Sequence, residues 1–209
     1  MARAPQRGAW LLRPWAKPLV FALCLAPLAW LVFGAAADRL GANPAEALIR
    51  ALGDWTLRFL CITLAVTPLR LAAGLAPLAR YRRMLGLFTF FYALLHLLAY
   101  AGFDMGLDAQ EIARDVAKRP FILVGMLTFA LLLILAATSF NAAVRWLGGR
   151  RWQRLHRGVY AVAPLALLHF WWMRAGKNDF AEVLVYAAIL GALLLSRLPP
   201  MRRILLHKQ

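Results

Sequence analysis

Acidic side chains are scarce: the 209 residues hold nine Asp and Glu against 25 Lys and Arg, and the long apolar runs hold no carboxylate at all. A pore or carrier built on intramembrane carboxylates is therefore not what the sequence describes. Cysteine is almost absent. Cys24 and Cys61 both sit in apolar stretches, which excludes a disulfide framework and a thiolate metal cage and leaves them as small packing residues. A glycine-rich dinucleotide fingerprint is also missing, so the chain does not bind NAD(P)H in the usual way. Internal repeats and low-complexity linkers are missing too.

What remains is apolar. Hydrophobic residues make up 63% of the chain and the mean hydropathy is +0.64, too high for a soluble domain of this length. Uncharged runs at Pro18 to Ala37, Met84 to Phe103 and Pro120 to Val144 are each long enough to cross a hydrocarbon core of about 30 Å. Three weaker runs, Trp55 to Gly74, Gly158 to Met173 and Val183 to Ser196, are short or carry arginine, which flanking snorkelling and local thinning accommodate. The expected fold is an all-α polytopic bundle of six transmembrane helices. It divides into a cytoplasmic segment (1–17), a transmembrane domain (18–197) and a cytoplasmic tail (198–209). Pro27, Pro68 and Pro164 fall inside helices and predict kinks.

The net charge of +16 raises nucleic acid as a partner, and the distribution of charge answers against it. With both termini in the cytoplasm, 17 of the 25 basic residues lie on the inner side, among them Arg82, Arg83, Arg151 and Arg154. All nine acidic residues lie on the outer side. Trp10, Trp15, Trp146 and Trp152 fall near the inner boundary, and Trp55, Trp171 and Trp172 near the outer one, as belts do. The N-terminal run ending in Ala35, Ala36 and Ala37 imitates a signal peptide, but its length and the charge pattern favour a retained helix. The expected address is a membrane, with lipid and no nucleic acid as partner. The acidic outer loop with Asp104, Asp108, Glu111 and Asp115 is read as a solvated, partly helical face.

Four histidines carry the chemistry. His207 belongs to the polar tail. His96 lies deep in an uncharged run, where an ionisable side chain is costly and points to function. Helices 3 and 5 run in the same direction, and His96 and His169 each come 12 residues after the helix start, near Met84 and Arg157, or about 18 Å up. Two neutral imidazoles at one level of a bundle suit the axial positions of a b-type haem. His156 lies about 20 Å lower on the same helix 5, with Arg83 rather than a histidine at the matching level of helix 3. Three roles stay open for it: a second haem with an unusual partner, a quinone or flavin contact, or an interfacial histidine. Arg58 is placed to hold a haem propionate, and Arg82, Arg83, Arg151 and Arg154 to hold an anion at the inner level. Their topological role explains most of the inner group.

The stretches RRMLGLFTFFYALLHLLAY, KRPFILVGMLTFALLLILAATSFNAAVRWLG and WQRLHRGVYAVAPLALLHFWW resemble the MsrQ (YedZ) family of the ferric-reductase-like transmembrane superfamily, which includes NADPH oxidases and STEAP proteins. The resemblance runs from about helix 2 to helix 6. It implies a haem-binding membrane subunit that passes electrons across the inner membrane to MsrP, a periplasmic molybdopterin enzyme repairing methionine sulfoxide in oxidised proteins. It further implies b-type haem, one or two, and FMN, with quinol or a cytosolic flavin reductase as donor, and His96, His156 and His169 as haem-related residues. Such a subunit has no substrate-converting site of its own. Arg82 and Arg83 stand where the oxidases carry a second histidine on helix 3, a departure from their two-haem pattern. The alternatives are a cytochrome b-type ferric reductase with another outer acceptor, and a non-redox permease or assembly factor.

Overall fold

The computed structural model describes residues 7–176 and 178–199, so the expectations for His207 and the end of the tail lie outside the described residues. Those residues are helical, without strands. In chain order the helices are α1 (Ala16–Ala36), α2 (Pro44–Ala72), α3 (Arg82–Ala99), α4 (Ala109–Lys118), α5 (Pro120–Ala137), α6 (Asn141–Leu147), α7 (Gly149–His156), α8 (Val159–Ala175) and α9 (Ala181–Leu195). Among the described residues four segments are long and apolar enough to cross a membrane: Ala16–Ala36, Pro44–Ala72, Ala76–Asp104 and Pro120–Ala137. Helices α8 and α9, with 17 and 15 residues, fall short of the usual span of about 20.

Local chemistry sets the boundaries. Helix α2 starts where the Asn43 side chain accepts from the Glu46 amide, 3.2 Å, with Pro44 in the first turn. It therefore begins eleven residues before Trp55, the expected start. Glu46, Arg50 and Asp54 had broken the apolar pattern there, because they sit on a helical face turned to a polar cavity mouth rather than to lipid. The outer loop does form a helix, α4, capped by Asp108 through the amides of Gln110 and Glu111. Helix α5 stops at Ala137, short of the expected Val144. Thr138 and Ser139 turn their hydroxyls back onto the carbonyls of Ile134 and Leu135, 2.7 Å each, and the chain turns into α6. The segment read as one helix carrying His156 and His169 is broken at Arg157 and Gly158. The two histidines belong to different helices.

Helix α2 packs most extensively on α3, and α5 on α8; the two pairs meet between α3 and α5, and α9 closes against α8 and α2. Leu60, Leu64, Val162 and Ala163 form one fully buried cluster and Phe59, Phe88 and Tyr92 another. Pro68 inside α2 leaves a carbonyl that another element serves. Pro68 cannot pair with the carbonyl of Leu64, and Arg197 Nη2 donates to it at 2.6 Å. Beside Pro27, the Tyr92 hydroxyl donates to Cys24 O at 2.8 Å and accepts from Leu28 N at 3.1 Å. It thus fastens α1, whose outer face is exposed at Leu23 and Trp30, to the bundle. Tyr92→Phe is expected to lower stability by about 1–3 kcal/mol, seen as a lower midpoint of thermal unfolding in detergent; an unchanged midpoint would contradict this role.

Candidate functional site

His96 on α3 and His169 on α8 face each other, with ring centres 6.2 Å apart and planes at 78°. Each ring is aimed by a backbone carbonyl of a neighbouring helix. His96 Nδ1 donates to the carbonyl of Ile49 on α2 at 2.8 Å, and His169 Nδ1 donates to that of Phe121 on α5 at 2.6 Å. A carbonyl only accepts, so both rings carry their hydrogen on Nδ1 and present an unprotonated Nε2. That is the tautomer a metal requires, and the carbonyl is the usual outer partner of a ligating imidazole.

Four residues beyond each carbonyl stands a glycine. A methyl group on Gly53 would lie 3.1 Å from His96 Cε1, and one on Gly125 would lie 2.8 Å from His169 Cε1. The missing side chains make the seats into which the imidazoles fit.

The spacing itself tests the fit to a haem. An axial nitrogen lies about 2 Å from a first-row metal, and the ring centre about 1.1 Å further, so two opposed imidazoles on one iron have centres about 6.2 Å apart. The observed 6.2 Å agrees. Among the described residues no group of three or more His, Cys, Asp or Glu donors gathers, so the pair suits a metal whose other ligands come from a macrocycle rather than a bare ion. The histidines open into a cavity of about 470 Å³, within the range of about 300–1,000 Å³ usual for cofactor sites. Leu57, Ala93, Phe129 and Leu132 line its depth, and Arg50, Arg119, Glu46, Asp54 and Asp104 its outer part.

A second cavity of about 570 Å³, on the side expected to face inward, shares Leu132 with the first. It is lined by His156, Arg70, Arg82, Arg83, Arg157 and Arg197, among others, and by no carboxylate. His156 stacks on Trp152 at 4.0 Å, and Trp152 Nε1 donates to the carbonyl of Thr138 at 2.8 Å. The Thr138 hydroxyl donates to Ile134 O and receives the His156 Nε2–H at 3.2 Å. Burial first, and then Arg82 and Arg83, push the His156 imidazole below its ordinary range. The folded chain therefore favours the neutral ring, and protonation costs stability as pH falls below about 6.5.

Of the residues singled out in the sequence, His96 and His169 come together, and Arg82, Arg83 and His156 share the inner cavity. Arg151 and Arg154 are exposed on α7, outside that lining. Arg58 turns away from the histidine cavity: its Nε donates to Tyr186 at 3.1 Å and its guanidinium covers Trp55 at 4.8 Å. Sequence reasoning missed Gly53 and Gly125, the orienting carbonyls, and Arg50, Arg119 and Arg197. Glycines inside apolar helical runs were the available signal. Gly125→Ala is expected to push His169 off its carbonyl and remove most low-spin haem absorbance per chain, and Gly53→Ala, with the looser contact, to remove less. Equal, full haem content in both would contradict the seats.

Comparison with known proteins places the chain in a family. Residues 52–167 match the family described as ferric reductase like transmembrane component, a range that includes His96 and His156 and ends two residues before His169. The chain is 65% identical to the protein-methionine-sulfoxide reductase heme-binding subunit MsrQ of Polaromonas naphthalenivorans (strain CJ2), covering 90% of this chain and 86% of that protein. Proteins of the same name from Ralstonia nicotianae (strain ATCC BAA-1114 / GMI1000) and Caulobacter vibrioides (strain ATCC 19089 / CIP 103742 / CB 15) are 57% and 46% identical. They cover 84% and 88% of this chain, and 81% and 87% of themselves. With identity of this extent over more than four-fifths of its length, the chain belongs to the MsrQ family, within the ferric-reductase-like transmembrane components.

Proposed function

We propose that the chain is the haem-binding electron-transfer subunit of a protein-methionine-sulfoxide reductase, with His96 and His169 as axial ligands of one b-type haem. The observation that carries this reading is the pair of imidazoles 6.2 Å apart, each oriented through Nδ1 so that Nε2 is left to bind. The names of the relatives, which describe a haem-binding subunit of that system, support it. When bound there, a b-type haem supplies a one-electron ferric/ferrous couple. The chain's own residues do the rest. The carbonyls of Ile49 and Phe121 fix the ligand planes, Gly53 and Gly125 admit the rings, and Leu57, Ala93 and Phe129 keep water from the depth of the cavity.

The segregation of charge supports a bacterial inner-membrane topology of six crossings with both termini in the cytoplasm, α8 and α9 forming the two short ones. In that orientation the arginine-lined cavity faces the donor, a quinol or a cytosolic flavin reductase. The histidine cavity faces the acceptor, a periplasmic molybdopterin reductase of the MsrP kind that repairs methionine sulfoxide in oxidised proteins. The inner cavity, with His156 beside Arg82 and Arg83, is read as the place of a second redox group: FMN, a quinone or a second haem. The chain itself makes and breaks no bond in the substrate. The description of the wider family favours one second reading, a cytochrome b-type reductase of ferric iron.

His96→Ala and His169→Ala are each expected to abolish the low-spin b-type absorbance of the purified chain and all electron delivery to a purified MsrP-type partner. An unchanged haem spectrum in either variant would sink the assignment. Reduction of ferric chelates but not of the partner by the wild type would establish the second reading instead.

A further inference from the structure

The outer cavity has two cations at its mouth. Arg50 and Arg119 come from separate elements, α2 and the α4–α5 junction, and both line the cavity that holds the histidine pair. Their positions follow from the same backbone that aims the imidazoles. Arg50 is the residue after Ile49, whose carbonyl holds His96, and Arg119 stands two residues before Phe121, whose carbonyl holds His169.

Both guanidiniums are held by carboxylates. Glu46, one helical turn earlier, pairs with Arg50. Asp115, one turn earlier, pairs with Arg119 at 3.0 Å and also accepts from the Tyr100 hydroxyl at 2.7 Å. Tyr100 in turn lies one turn beyond His96. A guanidinium has five N–H donors in a fixed fork, more than one carboxylate contact uses, so a braced arginine still offers donors to a second anion. The side chains remain 32% and 55% exposed, in agreement with that.

We propose that Arg50 and Arg119 anchor the two carboxylates of the tetrapyrrole, holding its carboxylate edge at the outer mouth of the His96–His169 cavity. This rests on the reading of the histidine pair given above. The rest of the lining leaves no other place for two anions: the depth is apolar, and Asp54, Asp104 and Glu46 at the rim repel a carboxylate wherever a guanidinium does not meet it. Arg39, Arg58, Arg114 and Arg174 lie outside this lining: Arg58 reaches Tyr186 and Trp55, and Arg174 reaches Asp179 and Glu182.

The test uses the full chain in detergent, with Arg50→Gln, Arg119→Gln, their double variant and the Lys replacements. Arg114→Gln, which removes an exposed guanidinium paired with Glu111 outside the cavity, is the control for surface charge. Two quantities are read: the rate of haem transfer to excess apomyoglobin, and the midpoint potential. Each Gln variant is expected to lose haem about tenfold faster than wild type. Its midpoint should move to a more negative value, because a nearby cation favours the reduced state. The Lys variants should retain part of both effects. Reconstitution with the dimethyl ester of the haem should raise the loss rate of wild type to that of the double variant and leave the double variant unchanged. Gln variants that lose haem no faster than Arg114→Gln, or an ester effect as large in the double variant as in wild type, would overturn the anchor assignment. A wild-type chain that binds no low-spin haem would instead overturn the reading of the histidine pair.

Discussion

Two hydrogen bonds from imidazole to backbone carbonyl, His96 to Ile49 and His169 to Phe121, are the constraint on which the rest of the site depends. A histidine in an apolar bundle can keep either nitrogen protonated, and only one choice presents Nε2 to a metal. The carbonyls settle that choice and the ring planes together. To reach them the imidazoles must lie against the helix surfaces four residues further on, where a Cβ would crowd the His96 ring at position 53 and collide with the His169 ring at position 125; both positions are glycine. Helices α2 and α5 are thus the supports for the imidazoles that α3 and α8 carry, and those are the pairs that pack most extensively.

That arrangement also accounts for the polarity of the bundle. Helix α2 is the least uniformly apolar of the long helices because its first turns border a cavity mouth, while its later turns are buried against α3 and α9. The linings of the two cavities have Leu132 in common: one carries arginines and, among the described residues, no carboxylate, and the other holds the histidine pair with Glu46, Asp54 and Asp104 alongside Arg50 and Arg119.

Much of this was legible in the residues. Equal distance from the expected helix starts placed His96 and His169 at one level, and the rings do meet, although the observed starts at Arg82 and Val159 lie 14 and 10 residues before them. Composition alone identified a membrane bundle. The start of α2 was not legible, since the charged face of Glu46, Arg50 and Asp54 looks like a loop until the cavity beside it is known. Nor was the break at Arg157 and Gly158 that separates His156 from His169, because a short interruption leaves apolar periodicity almost unchanged. Arg58 drew the eye as a membrane arginine near the right depth. Depth fixes height and not azimuth, and Arg58 points toward α9 while Arg50, two turns earlier, borders the cavity.

The most direct test of the central claim is the low-temperature EPR spectrum of the oxidised, purified wild-type chain, with haem quantified per polypeptide. Imidazole planes at 78° predict a strongly anisotropic low-spin ferric signal of the kind given by near-perpendicular axial ligands. A high-spin ferric signal as the main species, a low-spin signal typical of parallel planes, or the absence of haem would contradict the account.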